Sequence, residues 1–245
     1  MRQIGCPARI NKRVFAARVG AVKPRGRLRV RRVSNRNWPM FDIRLTTPDL
    51  ELRHLTEADL DSLAAIFPED VELDPSSTTY DALDPAGNRR VGVYQTYWRG
   101  RAGWCPESWA LSFGVFRDGQ LVGYQGLEGD DFSTLRTVDS SSFLTAAVRG
   151  QGLGKQMRAA VLTLAFGPLD ARFAITSAWI DNRASLGVSR ALGYVDNGVT
   201  ADRRDDIAAE MAHLRLTREQ WTASGWRRQI RVSGVEECLG FFGLG

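Results

Sequence analysis

The stretch Ala147-Val148-Arg149-Gly150-Gln151-Gly152-Leu153-Gly154-Lys155 constrains this chain more than any other. It lies between an apolar run that predicts a strand over Phe143 to Val148 and a helical periodicity from Gly152 to Phe166, with Met157, Val161, Leu164 and Ala165 inward. Three glycines at alternate positions expose backbone N–H groups and permit close approach of a ligand. The helix behind them aims its positive end at the same point, which favours an anion, most naturally a phosphate. Two other phosphate loops do not fit. A Walker A loop needs glycine where Arg149 stands and a hydroxyl residue where Gln156 stands. The dinucleotide fingerprint accepts Gly150 and Gly152 but meets Lys155 at its third glycine, without an alternating βαβ context. A glycine-rich helix entry with no ligand is the plain alternative.

The elements around this loop follow from periodicity and punctuation. Leu50 to Leu55 alternates as a strand, and Thr56-Glu57-Ala58-Asp59 reads as a helix start with acids in the first turn. Leu60, Leu63, Ala64 and Phe67 form its buried stripe, and Pro68 stops it. Residues 68–87 read as a loop and 88–101 as a second helix. Trp109, Leu111, Phe113 and Val115 alternate into a hairpin that turns at Asp118-Gly119 and returns through Leu121 to Tyr124. After the glycine loop and its helix come a strand from Phe173 to Ile180 and a helix from Asn182 to Leu192. Two further strands come next, near Tyr194 and from Met211 to Leu216. This order points to a mixed α/β sheet. Residues 222–245 hold Trp226, Val232, Val235, Leu239, Phe241 and Phe242, too apolar for a free tail, and are expected to dock on the body or on a partner.

Charge divides the chain. Residues 1–41 carry twelve of its 33 Lys and Arg and none of its 28 Asp and Glu. The rest therefore holds 21 basic against 28 acidic side chains, a net charge of −7. The basic segment lacks the apolar stretch of a secretory signal. It reads as disordered or as translation from a misplaced start, with Met40 where the globular pattern begins; a transit peptide and a nucleic-acid arm are the other readings of such a charge. The body is expected to span 42–221. Cys6, Cys105 and Cys238 are odd in number and scattered, and with only His54 and His213 beside them they suggest neither a disulfide framework nor a metal site. With no run of eighteen apolar residues, no membrane span is expected, and a cytoplasmic location follows from the cysteine usage.

Two motifs in order carry a family resemblance. Arg149-x-x-Gly152-x-Gly154 resembles the pyrophosphate loop of the GNAT acetyltransferase superfamily. Asp181-Asn182-Arg183-Ala184-Ser185 through Ala191-Leu192-Gly193-Tyr194 resembles that superfamily's next helix, about thirty residues on. The likeness covers residues 50–217 and is nearest in look to the ribosomal-protein-alanine acetyltransferase branch. It implies a central, mostly antiparallel, splayed sheet of six to seven strands flanked by about four helices. It also implies direct transfer of acetyl from acetyl-CoA to a primary amine of a small molecule, an aminoglycoside or a peptide N-terminus.

The cofactor would then be held by Leu144, Ala146 and Val148 of the splayed strand, by Arg149, Gly150, Gln151, Gly152, Leu153, Gly154 and Lys155, and by Asn182 and Ser185. The position where many members carry a Tyr is Ser189, which leaves Ser185 as the candidate proton donor to the leaving thiolate. Glu128 is the candidate general base, with Asp131 behind it; each is also an ordinary loop carboxylate. Tyr94, Tyr97, Trp98, Trp104 and Trp109 are candidates for an acceptor pocket or for core. No metal or membrane partner is implied, nucleic-acid contact is confined to the basic segment, and a homodimer is left open. The alternative function is a catalytically impaired acyl-CoA-binding sensor or interaction module.

Overall fold

The computed structural model describes residues 37–72, 77–204 and 206–244, all within one compact unit, Ser34–Gly245. The basic segment lies, up to residue 36, outside the described residues. The residues immediately after it are already core: a 3-10 turn, Pro39–Asp42, buries Pro39 and Met40, and Trp38 packs edge-on against Trp104 and Phe241. Packed residues thus occur just upstream of position 42, where the charge changes.

Strands β1 (Arg44–Thr46) and β2 (Glu51–His54) form a small hairpin. Helix α1 (Glu57–Ala65) starts where the sequence predicts. The Asp59 carboxylate accepts from the Thr56 N–H (2.8 Å) and hydroxyl (2.7 Å) and takes a bidentate bond from Arg53 (2.9 and 2.7 Å). Helix α2 (Pro85–Ala102) begins three residues before the predicted start, because Asp84 caps it through the Gly87 N–H (2.6 Å) and Pro85 occupies a first-turn position.

The hairpin β3 (Trp109–Arg117) and β4 (Gln120–Gly129) turns at Asp118 (φ 49°) and Gly119 (φ 77°), both left-handed as a tight two-residue turn requires. After the short α3 (Phe132–Leu135) come β5 (Thr137–Val138), β6 (Ser142–Leu144) and α4 (Leu153–Phe166). Then come β7 (Phe173–Trp179), α5 (Arg183–Ala191), β8 (Val195–Arg204), β9 (Ile207–Thr217), α6 (Arg218–Ser224) and β10 (Arg231–Ser233).

Two sheets result. One is antiparallel, in the order β10-β1-β2-β3-β4-β6; the other runs β5-β7-β9-β8, with β5 parallel to β7. Residues 137–144 belong to both. They begin beside β7 and end beside β4, so the sheets part along this segment. The predicted strand over 143–148 stops at Leu144: Thr145 makes the last bond to β4, through its N–H to the Val122 carbonyl, and Ala146–Val148 turn as a 3-10 helix. Alternation sorts the faces. Leu111, Phe113, Leu153, Met157 and Val161 join the main core with Trp109, Phe132 and Phe242. Leu55, Leu60, Leu63, Val93, Tyr97 and Phe143 form a second cluster under α1 and α2. Near the chain's end, β10 pairs with β1, and a 3-10 helix at Glu236–Phe242 buries Cys238 and Phe242. No helix among the described residues is long and apolar enough to cross a membrane.

Candidate active site

The glycine loop adopts the backbone that its composition permits. Gly150 (φ 76°) and Gly152 (φ 81°) are left-handed, and a Cβ added to either would meet nothing within 4 Å, so their exposed side is open to a ligand. Gly152 is the N-cap of α4, whose first N–H groups have no intrahelical acceptors, as at any helix start. Gly154 serves differently: its Cβ would lie 3.4 Å from Val188 Cγ2, so it lets α5 approach α4. Leu153 is buried and can offer a ligand only backbone. Gln151 takes a bond from Arg117 (2.6 Å). Lys155 stands in the first turn of α4.

Arg149 is engaged. Its Nε donates to the Leu144 carbonyl (2.9 Å), and its two terminal nitrogens grip the Asp70 carboxylate, Nη2 at 2.9 Å. That guanidinium holds the Asp70 carboxyl below the usual range. Asp70 thus stands where a phosphate oxygen would be expected.

The parting sheets supply a second feature. Between β4 and the segment 139–145 the backbone bonds fall on Asp139 (two, with Glu128, 2.8 and 3.0 Å), Ser141 (2.7 Å) and Thr145 (2.9 Å). In an antiparallel pair such bonds occur on alternate residues. The backbone groups of Ser140, Ser142 and Leu144 therefore point away from β4, toward the gap that opens against β7. Of the three positions expected to meet a ligand there, Leu144 retains strand geometry, whereas Ala146 and Val148 lie in the 3-10 turn.

Under this gap lies a residue that sequence reading passed over as a site. Arg158 on α4 is 4 % exposed, and its guanidinium reaches Ser142, Thr176 and Ser189, each at 3.4 Å, beyond the normal range of such bonds; its Nε has no partner among the described residues. The signal was there: an arginine amid Met157, Ala159, Ala160 and Val161. Ser189 is buried, donating to the Ser185 carbonyl (3.1 Å) while Arg158 donates to it. Asn182 caps α5 by accepting from the Ser185 N–H (3.0 Å), and the Ser185 side chain is half-buried nearby. Burial pushes the Tyr194 hydroxyl up to about 12.

On the opposite face, toward α1 and α2, is a cavity of about 450 Å³ bordered by Ser141, Ser142 and Phe143. Of the five aromatic candidates only Tyr97 lines it. Trp109 faces the main core from β3, and Trp104, in the connection between α2 and β3, stacks against it there. Tyr94 and Trp98 lie outside, bonded to Asp61 (2.5 Å) and Glu57 (3.0 Å). Neither Glu128 nor Asp131 lines the cavity. Glu128 shares the Tyr124 face of β4, roughly 13 Å along the strand, and Asp131 begins the turn into α3. Opposite Glu128 stands Asp139, which no local motif in the sequence marks. The two residues pair through their backbones, and burial raises the Asp139 carboxyl above the usual carboxylate range, against a lowering by its bond from the Ser140 N–H and by the charge of Arg158.

Comparison with known proteins bears on this geometry. The family model described as acetyltransferase (GNAT) domain matches residues 49–195, more than half of the chain. Among solved structures, Mycobacterium smegmatis RimJ in complex with CoA-disulfide superposes with a TM-score of 0.60 at 15% identity, covering 79% of this chain and 98% of that one. RimL, a ribosomal L7/L12 alpha-N-protein acetyltransferase in complex with coenzyme A, gives 0.56 at 17% identity, covering 70% and 95%. A chimera of the spermidine N-acetyltransferase SpeG from Vibrio cholerae and hSSAT gives 0.55 at 13% identity, covering 71% and 99%. Identities this low speak for a shared fold, and the family model carries the assignment: the chain belongs to the acetyltransferase (GNAT) domain family and is an N-acetyltransferase.

Proposed function

We propose that this chain moves the acetyl group of acetyl-CoA directly to a primary amine, of a small molecule, an aminoglycoside or a peptide N-terminus. The observation that carries the reading is the meeting of two features at one place: a left-handed glycine loop open to a ligand, and a strand whose backbone groups at Ser142 and Leu144 face the gap between the sheets. When bound, acetyl-CoA supplies an acetyl group activated as a thioester.

The remaining work belongs to the chain. Backbone N–H groups from Gly150 to Gly154, with Arg149 and Lys155, bind the pyrophosphate. Arg149 must exchange Asp70 for phosphate to do so. The Leu144 N–H is the donor for a carbonyl oxygen that gains negative charge. Asn182 holds the start of α5, and Ser185 is the candidate hydrogen-bond donor to the departing sulfur. The amine must be neutral to attack, and Glu128 and Asp139, whose backbones pair across a bridge, are the candidate sinks for its proton. Raised by burial, Asp139 is better matched to that task than a carboxylate at its ordinary pKa.

The test is calorimetry with acetyl-CoA together with thiol release in the presence of amines. Binding and amine-dependent release are expected; a folded sample that does not bind acetyl-CoA overturns the reading. Binding without release from any amine would favour the acyl-CoA sensor.

A further inference from the structure

The cavity beside the parted sheets is walled mainly by apolar side chains. Leu63, Phe67, Val93, Phe143, Trp179 and Met211 contribute to it, drawn from α1, the turn after it, α2, β6, β7 and β9. At about 450 Å³ it has room for an aromatic or branched apolar body. The hydroxyls of Ser112, Tyr124 and Ser141 cluster beside Gly126, and Ser77, Thr96 and Ser177 add further hydroxyls to the wall.

Charge is scarce. Among the described lining residues Glu72 alone is ionisable as an acid at neutral pH, and both its oxygens are in use. Arg204 Nε donates to one at 2.7 Å and Trp179 Nε1 to the other at 2.8 Å. A ligand with several ammonium groups would therefore bury cations without partners, which is costly. Behind Ser142 the buried Arg158 guanidinium adds positive charge, 3.4 Å from the serine hydroxyl. A cation so placed disfavours a protonated amine and favours the neutral form that attacks.

Resting on the acetyltransferase reading above, we infer that the acceptor is a primary amine carried on a single apolar or aromatic body, with no second cationic group inside the cavity. The amine sits at the Ser112, Tyr124 and Ser141 cluster and the body fills the wall between α1, α2 and β7. This chemistry is shared by free arylalkylamines and by peptides whose N-terminal side chain is aromatic. Polyamines and aminoglycosides are expected to be poorer acceptors, because they would set several charges against a mainly apolar wall.

The experiment uses the full chain, acetyl-CoA and four acceptors: phenethylamine, a tetrapeptide beginning with phenylalanine, spermidine and kanamycin. Calorimetry with acetyl-CoA alone is run beside it, so that loss of the acetyltransferase reading is seen separately as loss of cofactor binding. The expected result is that kcat/KM for phenethylamine or for the peptide exceeds that for spermidine and kanamycin by at least about tenfold. The better of those two names the source. With acetyl-CoA bound, preference for spermidine or kanamycin, or transfer to none of the four, overturns the inference and leaves the acetyltransferase reading to stand or fall on its own test.

Variants locate the wall. Phe67→Ala is expected to raise KM for the preferred acceptor about tenfold and to leave acetyl-CoA affinity within about twofold, while Phe67→Leu recovers most of the loss. An unchanged KM in a folded Phe67→Ala protein overturns the placement of the body.

Discussion

Gly152 and Gly154 stand two positions apart in one motif, yet the structure gives them different work. Gly152 is needed for its left-handed backbone, which a β-branched residue adopts only under strain, and for the open approach beside it. Gly152→Val is expected to lose about two charge-assisted hydrogen bonds to phosphate, at about 1.5–3 kcal/mol each, and so to weaken acetyl-CoA binding about a hundredfold or more. Gly154→Val instead pushes on Val188 of α5, so its first effect is expected on the melting temperature, with a smaller change in affinity. Calorimetry and melting on both variants test this. Equal affinity in Gly152→Val and the parent protein would place the pyrophosphate elsewhere. Asp70 gives a prediction of opposite sign. It occupies the Arg149 guanidinium that a phosphate needs, so Asp70→Ala is expected to tighten acetyl-CoA binding severalfold. Unchanged or weaker binding would mean that Arg149 keeps its carboxylate partner while the cofactor is bound.

Among the elements, α1 shows how a short helix is held by one side chain. Burial alone would raise the Asp59 carboxyl, but hydrogen bonds from Arg53 and Thr56 outweigh it and hold the group at about 2, against 3.8 ordinarily. A carboxyl lowered in the folded state contributes stability above its unfolded pKa and loses it as pH falls through the folded value. The contribution is thus complete above about pH 4 and gone near pH 2, and after allowance for solvent it amounts to about 1–2 kcal/mol. Chemical denaturation of Asp59→Asn against the parent protein is expected to show that gap at about pH 6 and to show it closing between about pH 4 and pH 2. A gap independent of pH would assign the loss to packing. The same helix walls the acceptor cavity through Leu63, so its cap bears on function as well as on stability.

At the scale of the whole molecule, the main core draws on both ends of the described chain. Trp38, Met40, Trp104, Trp109, Phe132 and Phe242 pack together, and β10 extends the sheet through β1. We propose that the basic segment before residue 37 is dispensable for stability and for acetyl-CoA binding. Removing residues 1–36 is expected to leave the melting temperature and acetyl-CoA affinity unchanged. Removing 1–41 also takes Trp38, Pro39 and Met40, and is expected to cost about 2–5 kcal/mol for Met40 alone. Parallel melting curves of the two truncations decide it: early melting of the shorter truncation would make the basic segment part of the fold.

The glycine loop, the Thr56 helix start, the Asp118-Gly119 hairpin and the α5 motif were legible in the sequence, because each rests on chemistry contained within a few neighbouring residues. They were enough to reach the family. Short-range pattern could not reveal β1, β10 or the division of residues 137–144 between two sheets, since three-residue strands have no periodicity to read and exist only through distant partners. It also missed the length of the β8–β9 hairpin, where Val199 and Ile207 are exposed and no apolar alternation marks the outer strands. Side-chain placement was decided the same way. Trp109 went to the core with Trp104 stacked on it, and Tyr97 of α2 went to the cavity, according to how α2 and β3 packed. Asp139 and Glu128 paired through their backbones, and Arg158 came to lie under the gap, only when segments far apart in sequence closed on each other. Local chemistry determined the kind of machine; tertiary packing determined which residues stand at its working end.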